Sequence, residues 1–147
     1  MLIYTTLIYI FICLFFFILY TQSCVDKIIC KKENILWLRG HFKGSPLINI
    51  VPFLFFVITV FEGVTAFLFL INILVVLSDY LNILESAISI IDNVDHMGAF
   101  FMSMLTLVSL FFGQRLAKDY EGAKTIAVYF MLNIIAIIFV VEHCVNQ

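Results

Sequence analysis

Charge is scarce in this chain of 147 residues, and large parts of it carry no basic residue at all. Charged residues make up 12% of the chain, against about 25% in a typical soluble domain. The formal net charge of −2 provides no basic surface for a nucleic acid, so we exclude nucleic acid as a partner. No Lys or Arg precedes Lys27, so the N-terminal apolar run lacks the positive region of a signal peptide. We interpret this run as a first transmembrane helix.

The sequence also lacks the common signatures of enzymes and metal sites. Its four cysteines form no CxxC pair and no zinc-ligand spacing. A structural disulfide is therefore not expected, and the cysteines predict no metal site. There is no P-loop, GxSxG, HExxH or Rossmann fingerprint. An enzyme is thus the less favoured interpretation.

Long hydrophobic runs dominate what is present. The chain is 64% hydrophobic, contains 17 phenylalanines and has a mean hydropathy of +1.15. A helix needs about 20 apolar residues to cross a hydrocarbon layer of about 30 Å. The sequence predicts one all-α domain, an integral membrane four-helix bundle. The predicted spans are residues 2–22, 48–71, 97–113 and 123–142.

A segment between the second and third spans has a different pattern. Over residues 79–93, apolar Leu84, Ile88 and Ile91 recur at helical spacing opposite acidic and polar residues. This predicts an amphipathic helix lying in the membrane interface.

The basic residues predict the orientation of the bundle. All eight lie in or beside residues 23–46 and 114–123, the first and third connections between spans. Basic loops remain cytoplasmic during insertion. We therefore expect these two connections to be cytoplasmic, both termini to be periplasmic, and the protein to reside in a bacterial inner membrane.

Glu62 is the strongest candidate for a functional residue. An ionised carboxylate at mid-bilayer costs at least about 2.5–3.5 kcal/mol. No Lys or Arg is predicted at its depth, so the side chain is expected to be protonated. Asn133 is predicted at a comparable depth in the fourth span. Glu62 is interpreted either as a neutral interhelical hydrogen-bond donor or as a site for a proton, a quinone or a substrate.

A second set of polar residues is predicted at the outer face. Asp95 and His96 open the third span, whereas Glu142 and His143 close the fourth. Two imidazoles beside carboxylates suit Zn, Cu, or the edge of a haem or quinone. The alternative is that they are ordinary interfacial residues marking helix ends.

The turn between the third and fourth spans concentrates mixed charges. Arg115, Lys118, Asp119 and Tyr120 lie within it. Such residues usually pair locally and set topology. Because Arg and Tyr are favoured at interfaces, the turn is also a candidate contact for a quinol head group or a partner subunit.

Several short segments carry a family resemblance: Asp26-Lys27, Trp37 to Phe42, Asn49 to Pro52 with Glu62, and Gly113 to Ala123. Together they resemble the DoxX-like small four-helix membrane proteins of Bacteroidota-type bacteria. The resemblance implies the fold and the membrane location. The family takes its name from a thiosulfate:quinone oxidoreductase, but no shared catalytic signature can be transferred to numbered residues. Ser23 or Cys24 departs from the pattern, which has a helix-end glycine there.

Three functional hypotheses follow. The leading one is a small, non-catalytic accessory subunit that packs against larger proteins of a redox or envelope complex. The first alternative is a quinone- or thiol-linked oxidoreductase component using Glu62, the outer histidines, or Cys24 and Cys30. The second is an oligomeric proton or cation transporter using Glu62. The expected partners are the lipid bilayer and either larger membrane proteins or further copies of the chain, and a quinone is the cofactor left open.

Overall fold

The computed structural model is a bundle of antiparallel helices. It describes the backbone of residues 2–81 and 96–145, and the side chains of residues 4–78 and 97–142. The helices are α1 (Leu2–Ile29), α2 (Lys31–His41), a short 3-10 turn (Ile48–Ile50), α3 (Val51–Leu81), α4 (His96–Leu116) and α5 (Tyr120–Val145).

Four of these helices are long and apolar enough to cross a membrane. This confirms the predicted all-α membrane bundle. The first residues of the amphipathic helix predicted at 79–93 are the end of α3, which continues to Leu81. The rest of that prediction lies outside the described residues. The candidate spans are Tyr4–Ile29, Ile48–Ser78, Met97–Leu116 and Tyr120–Glu142.

The first connection is more helical than the sequence analysis expected. α1 continues to Ile29, and α2 occupies much of the stretch interpreted as a loop. Its apolar residues Ile35, Leu38 and Phe42 recur at i, i+3 and i+7, which places them on one helical face. Ile35 and Leu38 are half-buried and Phe42 is buried. Packing of this face against the bundle accounts for a helix in an otherwise polar segment.

An aromatic cluster lies at the centre of the bundle. The ring of Phe69 on α3 stacks on Phe16 of α1, with 5.2 Å between centroids, and meets Phe100 of α4 edge-on at 5.1 Å. The ring of Tyr20 also stacks on Phe16 and on Phe69, with 6.4 Å between centroids in each pair. These contacts join α1, α3 and α4, and fix their relative register.

Buried polar groups are paired between helices. The Tyr20 hydroxyl lies 2.7 Å from Ser103 Oγ, and Thr65 Oγ1 lies 3.1 Å from Thr106 Oγ1. Asn133 of α5 donates to the Phe100 carbonyl at 3.0 Å. Because hydrocarbon offers no alternative partner, such bonds hold helices together inside a membrane.

The two basic segments meet at one end of the bundle. His41 Nε2, at the end of α2, lies 2.9 Å from Gln114 Oε1 and 3.5 Å from Asp119 Oδ2. Gln114 lies in the last turn of α4, and Asp119 lies in the connection between α4 and α5. The structure therefore places the first and third connections on the same side, as the sequence predicted. We call this side the basic end.

Candidate functional site

An ion pair lies inside the bundle between α1 and α3. Lys27 Nζ donates to Glu62 Oε1 at 2.9 Å and to Ser23 Oγ at 2.8 Å. Ser23 Oγ in turn donates to the same carboxylate oxygen at 2.9 Å. Since Ser23 precedes Lys27 by one turn, the lysine side chain extends back toward the membrane interior. Glu62 is 1% exposed, so the carboxylate is removed from water.

The expectation that no Lys or Arg lies near Glu62 was wrong. It assumed that α1 ends near residue 22, which would leave Lys27 in a loop. Instead α1 continues past Lys27, and its antiparallel packing on α3 brings the ammonium to Glu62. A buried carboxylate with a lysine partner needs no proton to compensate its charge.

The second oxygen of Glu62 differs from the first. Oε2 is buried and has no hydrogen-bond partner among the described residues. A buried polar atom without a partner loses the solvation it had in water. The carboxylate is therefore satisfied on one side only, and the free oxygen is the natural place for a proton.

A cavity of about 300 Å³ opens beside this pair at the basic end. Lys27 forms part of its wall and is the cavity's link to Glu62. His41 and Gln114 supply further polar groups, whereas most of the remaining wall is aliphatic or aromatic. The other lining residues are Leu38, Phe42, Leu47, Val51, Leu54, Phe55, Val57, Ile58, Ser109, Leu110, Phe112 and Gly113.

His41 connects the cavity to the α4–α5 turn. Its ring stacks on Trp37 at 4.5 Å between centroids, with 18° between the planes. With Gln114 Oε1 directed at His41, the amide NH₂ group of Gln114 remains as a donor. Two lining side chains are thus held in place by a stacked ring and a hydrogen bond.

The turn itself is tightly built. Asp119 Oδ1 accepts from the Gly122 backbone N–H at 2.9 Å. A β-carbon at Gly122 would lie 2.5 Å from Asp119 Oδ2 and 2.9 Å from Gln114 Cδ. Glycine at position 122 therefore permits the close approach of the two residues that contact His41.

The other residues predicted in this turn have separate roles. The Arg115 guanidinium lies over the Tyr120 ring, 4.8 Å from its centroid, in a cation–π contact. Lys118 is exposed and adopts a positive φ of 62° where α4 gives way to α5. Of the four, Asp119 alone reaches the His41 group through a contact that the structure shows.

Asn133 and Glu62 are not brought together. The Asn133 amide bonds to Phe100, whose ring packs on Phe69, and Phe69 lies two turns beyond Glu62 along α3. The equal depth predicted for the two residues does not translate into a shared site. Asn133 joins α5 to α4, whereas Glu62 joins α3 to α1.

The outer-face group lies largely beyond description. Asp95 is outside the described residues, as are the side chains of His96 and His143, while Glu142 is exposed near the end of α5. Among the described side chains, no group of three or more His, Cys, Asp and Glu is placed to hold a metal ion. The metal and haem interpretations of this group stay predictions.

Sequence reasoning missed the α1 partners of the site. Tyr20, Ser23 and Lys27 follow one another at i, i+3 and i+7, and so form one polar face at the end of an apolar helix. That spacing was the available signal. It identifies a face directed at another helix, although it does not name Glu62 as the partner.

The chain matches no protein-family model, no curated protein and no solved structure.

Proposed function

We propose that this protein binds a lipophilic molecule with an oxygen-bearing head group in the cavity at its basic end. The observation that carries the proposal is the composition of the wall: an apolar surface with Lys27, His41, Ser109 and Gln114 as its polar positions. Ligand sites are typically clefts of about 300–1,000 Å³ with mostly apolar walls and a few placed polar groups. Lys27 and Gln114 keep N–H donors for a ligand, whereas His41 Nε2–H donates to Gln114 Oε1 and the Ser109 hydroxyl donates to the Leu105 carbonyl.

A quinone fits this description. That fit favours the redox alternative over a purely structural role. Its carbonyl oxygens accept hydrogen bonds, and its ring suits a wall containing Phe42, Phe55 and Phe112. The proposal concerns binding. Transfer of electrons would need a donor beyond this chain's own residues.

A glycine in the cavity wall allows a direct test. We expect Gly113→Leu to weaken binding of decylubiquinone at least about tenfold, because the new side chain enters the cavity and overpacks it. A β-carbon at Gly113 already lies 3.7 Å from the Phe42 ring. Trp37, the single tryptophan, is stacked on His41 and should report binding by quenching of its fluorescence in nanodiscs.

Gly98 supplies the matched control for this experiment. It lies in the same helix, and a β-carbon there meets nothing within 4 Å. Gly98→Leu should therefore leave the affinity within about twofold of the wild type. Equal effects of the two substitutions, or no saturable quenching in the wild type, would contradict the proposal.

An accessory role remains a second candidate, favoured by the surface of α2. Leu36 and Trp37 are 70% and 58% exposed, although α2 lies outside the four candidate spans. Exposed aromatic and apolar side chains of this kind anchor protein interfaces. Gentle purification through a tag tests this role. Stoichiometric large subunits, lost on Trp37→Ala, would support it, and a chain that purifies alone would count against it.

We further propose that the basic end is cytoplasmic in a bacterial inner membrane, as basic loops predict. Cys30 is exposed at that end, whereas Cys13 is buried. In a Cys144→Ser background, an impermeant maleimide should label Cys30 in inside-out vesicles but not in intact cells. Cys30→Ser should abolish the signal. Labelling of Cys30 in intact cells would contradict this orientation and indicate the opposite one.

The relationship to DoxX-like proteins is also a proposal. It is supported by the places where the matching segments meet. His41 contacts Gln114 and Asp119, and Lys27 contacts Glu62, so separated parts of the resemblance converge on the cavity and the ion pair. Segments that together form one site are expected to meet in the fold in this way.

A further inference from the structure

The electrostatics of the cavity wall favour a negatively charged ligand. Lys27 carries the fixed positive charge among the lining residues, and none of the described residues that line the cavity is an Asp or Glu. The connections around it hold further basic residues, so the potential at this end attracts anions. The lining residue that bears the charge is also the one paired with Glu62.

An anion at Lys27 would disturb the charge balance of the pair. At present one ammonium faces one buried carboxylate at 2.9 Å, and the two charges compensate. A second anion on the same ammonium would leave two negative charges near one positive charge, and one of the two would be the buried Glu62 carboxylate. Two like charges that share one ammonium repel each other strongly where the dielectric constant is low.

The structure offers one economical way to restore the balance. Glu62 Oε2 has no hydrogen-bond partner among the described residues, so a proton can be added there without displacing Lys27 from Oε1. The proton comes from the aqueous phase at the basic end, and the carboxylate becomes a neutral acid. Lys27 stays an ammonium and is then compensated by the ligand.

We propose that the cavity binds a lipophilic anion of the fatty-acid class, and that Glu62 takes up one proton when the anion binds. The inference rests on the proposed function, since it names the ligand class of the same cavity. It assigns the ion pair a definite role: Glu62 neutralises Lys27 in the free protein and releases that charge to the ligand.

Other ionisable groups near the pair must be separated from Glu62. On α1, Tyr20 and Cys24 face the same carboxylate, and Lys27 bonds to it. On α2, His41 lines the cavity, and the Asp119 carboxylate of the α4–α5 connection lies 3.5 Å from its Nε2. The α4 lining residue nearest to His41 is Gln114, which does not titrate.

Calorimetry with a permanently charged probe tests the proposal. Decanesulfonate keeps its charge at all working pH values, so any proton taken up on binding belongs to the protein. Titrations of the protein in nanodiscs, in two buffers with different ionisation enthalpies, should give an uptake of about one proton per anion. Decylubiquinone, which is neutral, should bind with no uptake.

Substitutions assign the proton. Glu62→Gln should abolish the uptake and bind decanesulfonate at least about tenfold more tightly, because the competing carboxylate is gone. Lys27→Met should weaken the anion at least about tenfold, because the compensating ammonium is gone, and should weaken the neutral decylubiquinone by less. Glu121→Gln is the matched control, because that carboxylate pairs with Lys124 at the surface. It should behave as the wild type.

The possible failures are distinguishable. If neither probe binds the wild type, the proposed function falls and the inference falls with it. If decylubiquinone binds but decanesulfonate does not, or binds without proton uptake, the inference alone is overturned. An uptake that survives in Glu62→Gln would belong to another group, such as His41 or Asp119, and would also overturn it. The wild-type measurement is decisive even if a variant fails to fold.

Discussion

Lys27→Met should destabilise the protein by about 3 kcal/mol at pH 7. The substitution leaves the Glu62 carboxylate buried, with Ser23 as its remaining donor. Breaking a buried ion pair on one side typically costs about 3–5 kcal/mol. The loss has an upper limit, because a glutamic acid can be held protonated at pH 7 for roughly 3–4 kcal/mol. Unfolding in mixed micelles with increasing dodecyl sulfate, followed by circular dichroism, measures the change.

A double substitution shows whether the loss comes from the orphaned charge. Lys27→Met with Glu62→Gln should recover most of the stability, because an uncharged pair leaves no buried carboxylate. The deficit of Lys27→Met alone should also shrink as the pH falls, since protonation of Glu62 becomes easier. Lys124→Met is the control. Its partner Glu121 is exposed, so little change is expected. A double variant as unstable as the single one would refute this account.

The helical architecture was predictable because the bilayer constrains it so strongly. A run such as 123–142 has few choices other than a spanning helix, since its backbone groups must bond internally. The meeting of the two basic connections followed from the same constraint, because four crossings place the first and third on one side. The contacts of His41 with Gln114 and Asp119 join these two parts of the chain on one side of the bundle.

The site was less predictable because it depends on rotation and register. Glu62 could be found from sequence, since a carboxylate in an apolar run is costly in hydrocarbon. Its partner Lys27 is 35 residues away and was assigned to a loop, because hydropathy marks where apolar character ends rather than where the helix ends. The cavity has no sequence signal at all, since its wall is assembled from four helices and the connection between α2 and α3.

The aromatic cluster gives the second large expected effect. Phe69 is fully buried and packs on Phe16, Tyr20 and Phe100. In water, Phe→Ala in a core costs about 3–5 kcal/mol through lost transfer energy and a cavity. In a bilayer the transfer contribution is small, because lipid tails are as apolar as the core. A cavity of roughly 100 Å³, at about 24 cal/mol per Å³, leaves a loss of about 2–3 kcal/mol for Phe69→Ala.

Phe67 separates packing from hydrophobicity, because it lies two residues away on the same helix and is 61% exposed. Phe67→Ala removes the same atoms from a surface that faces lipid, so lipid chains fill the space and little stability should be lost. The same dodecyl sulfate titration compares the two variants. Equal losses would mean that apolar surface alone stabilises the bundle. A loss confined to Phe69→Ala would show that interlocked rings of α1, α3 and α4 hold the register on which the Lys27–Glu62 pair depends.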